Sequence, residues 1–485
     1  MQKKKNIIAF IVLPILLLLA VGAVIFYWHE IKEKSNSGGS VNFSNRENIL
    51  ENFRAFIAIQ SVSTLPDHQP QMTEAASYLT KKLEEIGCTV KIFHEGTAPA
   101  LIAARYDVEG ATKTVGIYGH YDVVPSDTGS GWRTDPFNLT VLDGKIYGRG
   151  TADNKGHVIQ NLAAVEALIK SGELKNNVVF VFEGEEEVGS ANFEKYAEEA
   201  KDFIAADVYY ITDGQMHAKN EPQIDFALRG LNEYELTVST GEKDLHSGFY
   251  GNNVINSIQV ETELFAKMKD AETNKVNIPD FYGDMKPITE SDRNLYAKLE
   301  WTKDAKQKEM GIYELVGTDE KQPWISALVY PSLEINGITG GYTGDGFKPI
   351  IPSVASAKFS VRLVEFQDPK KITELIDNFI KDNLPVGAHY DLKVVQELPP
   401  FYTDYNNQYV LEASKIMTEE FGNNTVISRS GGSAGAASML QSLFKVPFVL
   451  TGFTLPDNNI HSTNENYDED MFWKGIEVMK KMYNS

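Results

Sequence analysis

Cysteine is nearly absent from this 485-residue chain, with Cys88 the single example. Its scarcity excludes an intrachain disulfide framework and any zinc site built on clustered cysteines. Basic residues are short relative to acidic ones, 46 against 67, for a formal net charge of −21. That balance argues against a nucleic-acid binder, which presents a basic surface. No internal repeat or long low-complexity tract is found. Hydrophobic residues at 42% and charged residues at 23% match ordinary globular usage and exclude wholesale disorder, collagen and a multi-span membrane protein. The H-E-x-x-H signature of zincins is also missing, because His29-Glu30 and His94-Glu95 lack the second histidine.

Long uncharged runs are rare, with one exception at Ile7 to Trp28. At ~1.5 Å per residue this run is ~33 Å long, enough to cross a bilayer. Lys3, Lys4 and Lys5 precede it, and Tyr27 and Trp28 close it, as interfacial aromatics do. The run exceeds a signal-peptide core and no A-x-A-like cleavage site follows. Residues 1–34 are therefore expected to be a cytoplasmic tail and transmembrane anchor. That would give a single-pass cell-membrane protein whose catalytic domain is extracytoplasmic. Residues 35–45, containing SNSGGS, are expected to be a flexible linker.

From about Arg46 the pattern becomes α/β. Glu47 to Ala58, Gln71 to Ile86 and His157 to Ile169 have helical spacing. TVGIY (114–118), VVFVF (178–182), VYYIT (208–212) and VPFVL (446–450) read as buried strands. Their alternation with helices predicts a mixed, mostly parallel sheet covered on both faces. Ile224 to Thr240 and Ala355 to Val364 instead alternate apolar and polar residues, as half-exposed antiparallel strands do. Expected domains are thus 46–224 and 398–485, forming one catalytic α/β domain, with an α+β domain inserted at 225–397.

Acidic and histidine residues gather at the ends of these strands. His120 and Asp122 follow TVGIY, Glu185, Glu186 and Glu187 follow VVFVF, Asp213 follows VYYIT, and His461 follows VPFVL by a loop. Asp153 precedes the His157 helix. Open α/β sheets bind ligands outside the carboxyl ends of their strands. His120, Asp153, Glu187, Asp213 and His461 therefore converge on one edge. They are too many for one tetrahedral zinc with an open position. They suit two metals sharing a bridging carboxylate, with one carboxylate among Glu185–Glu187 left as a general base. Taken singly, a strand-end histidine is usually a hydrogen-bonded core or surface group, and a run of glutamates a solvated face. The joint placement carries the metal reading.

A second motif competes. Gly431-Gly432-Ser433-Ala434-Gly435 matches G-x-S-x-G between a β-like TVIS and a helical AASMLQSL, with Asp457 and His461 downstream. A serine hydrolase using Ser433 would leave His120, Asp122, Asp153 and the glutamates idle, and no HGGG-type oxyanion segment is present. A Gly-rich substrate-binding loop explains the same residues.

GHYDVVP (119–125), GRGTADNKG (148–156), EGEEEVGS (183–190), ITDG (211–214) and NIHSTNE (459–465) together resemble the co-catalytic dinuclear metallopeptidases that include glutamate carboxypeptidase, aminoacylase and the carnosinases. DLHSGFYGN (244–252), YPSLEINGITGGYTGDGFKPIIP (330–352), KFSVRLV (358–364) and RSGGSAG (429–435) are most similar to the carnosinase and non-specific dipeptidase branch. The resemblance implies a phosphorylase/hydrolase-like catalytic fold with a lid that also forms a homodimer. It implies Asp153 as bridging ligand, His120 and Asp213 on one metal, and Glu187 and His461 on the other. Glu186 would be the general base and Asp122 the partner of His120. Asp153-Asn154 would be a cis peptide. His246 would stabilise the oxyanion, often across a dimer interface, and Arg362, Ser433 and Gly432 would bind substrate. The implied cofactor is two divalent ions, zinc in first place with manganese or cobalt also suited. The implied reaction is hydrolysis of dipeptides or small peptides bearing a free C-terminal carboxylate. An N-acyl-amino-acid deacylase would share every metal residue, and a non-catalytic binding protein would keep the fold but lack a ligand or the base. Pro349 departs from the pattern, since related dipeptidases commonly have Thr there.

Overall fold

In the computed structural model, described over residues 43–126, 131–297 and 301–485, the four apolar runs form the centre of a nine-stranded sheet. Asn177–Glu183, Thr114–His120, Val208–Thr212 and Phe448–Thr451 lie side by side in that order, all parallel. Their β-branched and aromatic residues are buried at almost every position, as parallel strands with helices on both faces must be. Parallel register brings every carboxyl end to the same edge: His120 pairs with Glu183, and Thr212 with Thr451.

The flanks run the other way. Thr89–Phe93 and Leu101–Tyr106 pair antiparallel, and Leu101–Tyr106 pairs antiparallel with Asn177–Glu183. On the far side Gln223–Leu228 is antiparallel to both Phe448–Thr451 and Phe401–Tyr402, but parallel to Val426–Arg429. The sheet is therefore mixed rather than mostly parallel. Short connections such as the one after Phe93 permit only antiparallel return, since parallel pairing needs a long crossover.

One face is covered by helices Lys155–Ser171 and Glu469–Tyr483, joined where Gln160 Nε2 donates to the Phe472 carbonyl at 2.7 Å. The other is covered by Phe193–Ile204 and Gly435–Phe444 around Tyr196, Ile204, Leu440 and Phe448. Gly156 opens the first of these helices because a Cβ there would lie 2.0 Å from the Thr151 carbonyl oxygen. The loop before the helix thus rests directly on its backbone.

A second, four-stranded sheet is wholly antiparallel, in the order Ser332–Gly340, Val354–Leu363, Gly230–Ser239, His389–Leu398. Alternate residues of Gly230–Ser239 are buried against helices Ser257–Met268 and Pro369–Asn383, in a core containing Leu264, Phe359 and Ile376. The alternating segment from Ile224 to Thr240 is two strands, not one. Gln223–Leu228 belongs to the large sheet and Gly230 begins the small one. Gly230 sits at the switch, where a Cβ would meet the Leu398 carbonyl at 2.5 Å.

Residues 53–485 cluster as one unit. Among the described residues, no helix is long and apolar enough to cross a membrane. The Ile7–Trp28 run and the SNSGGS linker lie outside the described residues.

Candidate metal centre and active site

The carboxyl edge of the central strands delivers His120, Glu186, Glu187 and Asp213, while the loop before the Lys155 helix delivers Asp153. His120 Nε2 lies 3.0 Å from one carboxylate oxygen of Asp153 and 3.8 Å from Asp213 Oδ1. The second Asp153 oxygen lies 3.0 Å from His461 Nε2, which is itself 3.0 Å from Glu187 Oε2. Asp153 thus spans two imidazoles, each shared with a further carboxylate. Ligand atoms of His120, Asp153 and Glu187 all fall within 4.8 Å of one another, a group able to hold a metal ion. All five residues expected to be metal ligands meet here.

Neighbouring groups fix these side chains. Asp122 is fully buried with His120, and its carboxylate lies 3.2 Å from His120 Nδ1. The same carboxylate accepts from the backbone N–H of Glu186 at 3.3 Å and of Glu187 at 3.1 Å. One aspartate therefore orients the imidazole and the turn carrying two glutamates. Asn154, joined to Asp153 by a cis peptide, donates to Asp213 Oδ1 at 2.7 Å and to the Thr212 carbonyl at 2.9 Å. Buried Glu465 accepts from the N–H groups of Gly150, Ala152 and Asp153 and from Arg149 Nη1 at 2.6 Å, pinning the Asp153 loop. His461 holds a left-handed backbone, φ 59°, uncommon outside glycine and sustained only where surroundings determine it.

The electrostatics follow from burying acids together. Burial, reinforced by Asp153, Glu187 and Asp122 and opposed by His120, pushes Glu186 up to about 7. Burial also raises Glu187 and Asp213. Hydrogen bonds to Asp153 and Glu187 push His461 up to about 10. His120 is raised despite its burial by Asp122 and Asp153, and the two imidazoles hold Asp153 low against the opposing effect of burial.

The donor set fits divalent ions. It combines imidazole nitrogens and carboxylate oxygens, ligands suited to zinc, manganese or cobalt. Glu187 Oε1 is buried without a hydrogen-bond partner, a costly state that a cation beside it would relieve.

A cavity of about 460 Å³ opens beside the cluster, lined by Asp153, Glu186, Asp213 and His461 and, further out, by Asp225, Ser430, Gly432 and Ser433. At its rim Arg362 Nη1 donates to Ser433 Oγ at 2.7 Å, and that hydroxyl donates to the Arg229 carbonyl at 2.5 Å. Arg362 is half-buried, and desolvation lowers its pKa. Ser433 does sit between a strand and a helix, but His461 Nε2 faces Asp153 and Glu187, so the hydroxyl lacks the base that a nucleophile requires.

His246 is not brought to the cavity. It is exposed at the two-stranded pair of Leu245–His246 with Ile350–Ile351, its Nδ1 accepting from Gly248 N at 3.0 Å and its ring against Phe249. The supporting roles of Glu465 and Arg229 have no local signal in the sequence beyond Glu465 closing the NIHSTNE segment, whereas the expected Asp153-Asn154 cis peptide is present.

Residues 116–485 match peptidase family M20/M25/M40. The chain belongs to this family. It is 28% identical to a Cys-Gly metallodipeptidase of Candida albicans, over 89% of this chain and 93% of that one. It is 27% identical to human Beta-Ala-His dipeptidase, covering 90% and 89%. The solved structure of an M20 family metallo-carboxypeptidase from Sulfolobus solfataricus superposes with a TM-score of 0.79 at 30% identity, covering 90% and 98%. As a family member the chain is a metal-dependent hydrolase of the metallodipeptidase branch. The localisation expected from the sequence is corrected by the same relatives. The chain matches Cys-Gly metallodipeptidases of three fungi over 87–89% of its length. A single-pass cell-membrane enzyme with an extracytoplasmic catalytic domain does not stand.

Proposed function

We propose that this chain hydrolyses the amide bond of dipeptides and small peptides that carry a free C-terminal carboxylate. Asp153, with each carboxylate oxygen 3.0 Å from a different histidine, is the observation that carries the reading. In it Asp153 with His120 and Asp213 would hold one divalent ion, and Asp153 with Glu187 and His461 a second, zinc in the first instance. When bound, such ions act as Lewis acids and lower the pKa of water.

The chain's own residues do the rest. Glu186 lines the cavity, where its carboxylate, raised by burial, is placed to take a proton from water and deliver it to the leaving nitrogen. Asp122 fixes the His120 ring, as a carboxylate behind a ligating histidine does. Arg362, steadied by Ser433, holds the substrate carboxylate through a planar fork that matches it, and Gly432 leaves room for the backbone. His246, exposed and outside this chain's own cavity, serves as oxyanion donor to the site of a second copy, and the inserted segment from Gly230 to Leu398 acts as lid and dimer surface.

The relatives' names favour dipeptides over the N-acyl-amino-acid alternative. Metal content and dipeptidase activity of the purified protein, measured before and after chelation, test the reading. About two ions per chain, with activity lost on chelation and restored by metal, is the expected result. Activity that persists in metal-free protein would refute it.

A further inference from the structure

One acidic side chain in the cavity has no part in the reaction derived above. Asp225 lines the same cavity as Asp153, Glu186 and Asp213 and is 6% exposed. Its Oδ1 accepts from Gln223 Nε2 at 2.9 Å, and it faces no cation. Among the described residues no lysine or arginine lines the cavity, and burial raises the carboxyl to about 7 with no charged neighbour to offset it. A buried carboxylate without a counter-charge is costly, so the position calls for a visiting cation.

Its register says which cation. Asp225 pairs with Leu450, and Leu450 with Ile211. Two strand spacings, ~10 Å, therefore separate Asp225 from the strand that Asp213 follows. Asp225 precedes Arg229, which follows the end of its strand, by four residues, roughly 13 Å of extended chain. The Arg229 carbonyl holds Ser433, which in turn meets Arg362. Two extended residues span ~7 Å, and a lysine or arginine side chain adds nearly as much again. A dipeptide whose carboxylate sits at Arg362 reaches Asp225 with the side chain of its first residue, whereas its α-amino group falls short.

We propose that Asp225 is a specificity-determining residue that receives the cationic side chain of a lysine or arginine at the N-terminal position of the substrate. This rests on the dipeptidase reading and deepens it.

The test compares Lys-Ala with its neutral counterpart Ala-Ala and the acidic Glu-Ala, in wild type and in Asp225→Asn, with metal content measured for both. Wild type is expected to favour Lys-Ala over Ala-Ala at least tenfold in kcat/KM, chiefly through KM. The ratio should fall about tenfold in Asp225→Asn. Calorimetric binding of lysine amide and norleucine amide to the metal-loaded wild type decides the matter without the variant, the lysine compound binding at least tenfold tighter. No preference for Lys-Ala in wild type, a preference that survives Asp225→Asn, or equal binding of the two amides would overturn the proposal. Failure to cleave any dipeptide would instead fall on the dipeptidase reading, and the binding comparison would still decide the role of Asp225.

Discussion

Replacing Asp122 with asparagine isolates the support of the metal centre from the ligands themselves. The carboxylate is fully buried and serves three donors, His120 Nδ1 at 3.2 Å and the N–H groups of Glu186 and Glu187 at 3.3 and 3.1 Å. Asparagine keeps the volume but offers one acceptor oxygen and turns an NH₂ toward at least one of those donors. Loss of a partner behind a ligating histidine typically costs 10–100-fold in metal affinity or activity, or ~1.4–2.8 kcal/mol. An unsatisfied buried N–H adds ~1–3 kcal/mol to the cost for the folded state. Asp122→Asn is therefore expected to bind metal at least tenfold more weakly in calorimetric titration. Turnover should recover in part at saturating metal, because no ligand is missing. The Glu186–Glu187 turn should loosen as well, lowering the thermal midpoint even with metal bound. Metal affinity within twofold of wild type would refute the claim that this contact orients His120.

Glu186→Gln should fold and hold its metals while kcat falls by about 10²–10⁴, the span of general acid–base catalysis; near-normal turnover in metal-loaded protein would remove Glu186 as the base. Gly156→Ala forces a Cβ to within 2.0 Å of the Thr151 carbonyl, a backbone atom that cannot swing aside. A loss of about 1–3 kcal/mol in urea unfolding is expected, and an unchanged midpoint would show that the loop is not tightly seated on the helix. Finally, the stability gained from metal should widen as pH rises from 6 to 9. Metal-free protein gains stability from protonated His461 below its ordinary range near 6.5 and loses it progressively as pH rises through about 10. Glu186, raised to about 7, adds a penalty that grows as it ionises from about 4.3 upward. Thermal midpoints of chelated and metal-loaded protein that differ by the same amount at every pH would contradict this accounting.

Much of the central sheet was legible because a strand buried on both faces must be written in apolar residues, and VVFVF and VYYIT have little else. Direction was less legible. An apolar run records burial, not the orientation of its neighbour, so the antiparallel flanks at Leu101–Tyr106 and Gln223–Leu228 could not be told from parallel ones. The strand-end rule brought His120, Asp213 and the Glu185–Glu187 run to one edge, while the choice of Glu187 among the three came from the motif resemblance. Their supports were not legible, because Glu465 reaches the Asp153 loop from over 300 residues away and leaves no local pattern. Asp225 was hidden in another way: in an alternating segment it reads as the polar face of a half-exposed strand, yet it lies in a strand of the large sheet.

The acidic excess divides physically into two kinds. Surface carboxylates paired with lysines, as in Lys269 with Glu334, contribute little, since exposed ion pairs are screened by solvent. The group formed by Asp122, Asp153, Glu186, Glu187 and Asp213 is different, because five acids share a space with only two imidazoles. Such a concentration of like charge works against folding unless protons or cations enter with it. The raised carboxyls of Glu186, Glu187 and Asp213 and the raised imidazoles of His120 and His461 are two expressions of that one demand. Metal ions held by these ligands would meet it more completely than protons do, because an ion engages several ligands at once. Binding of the metal on which the family depends would thus also relieve the destabilised site.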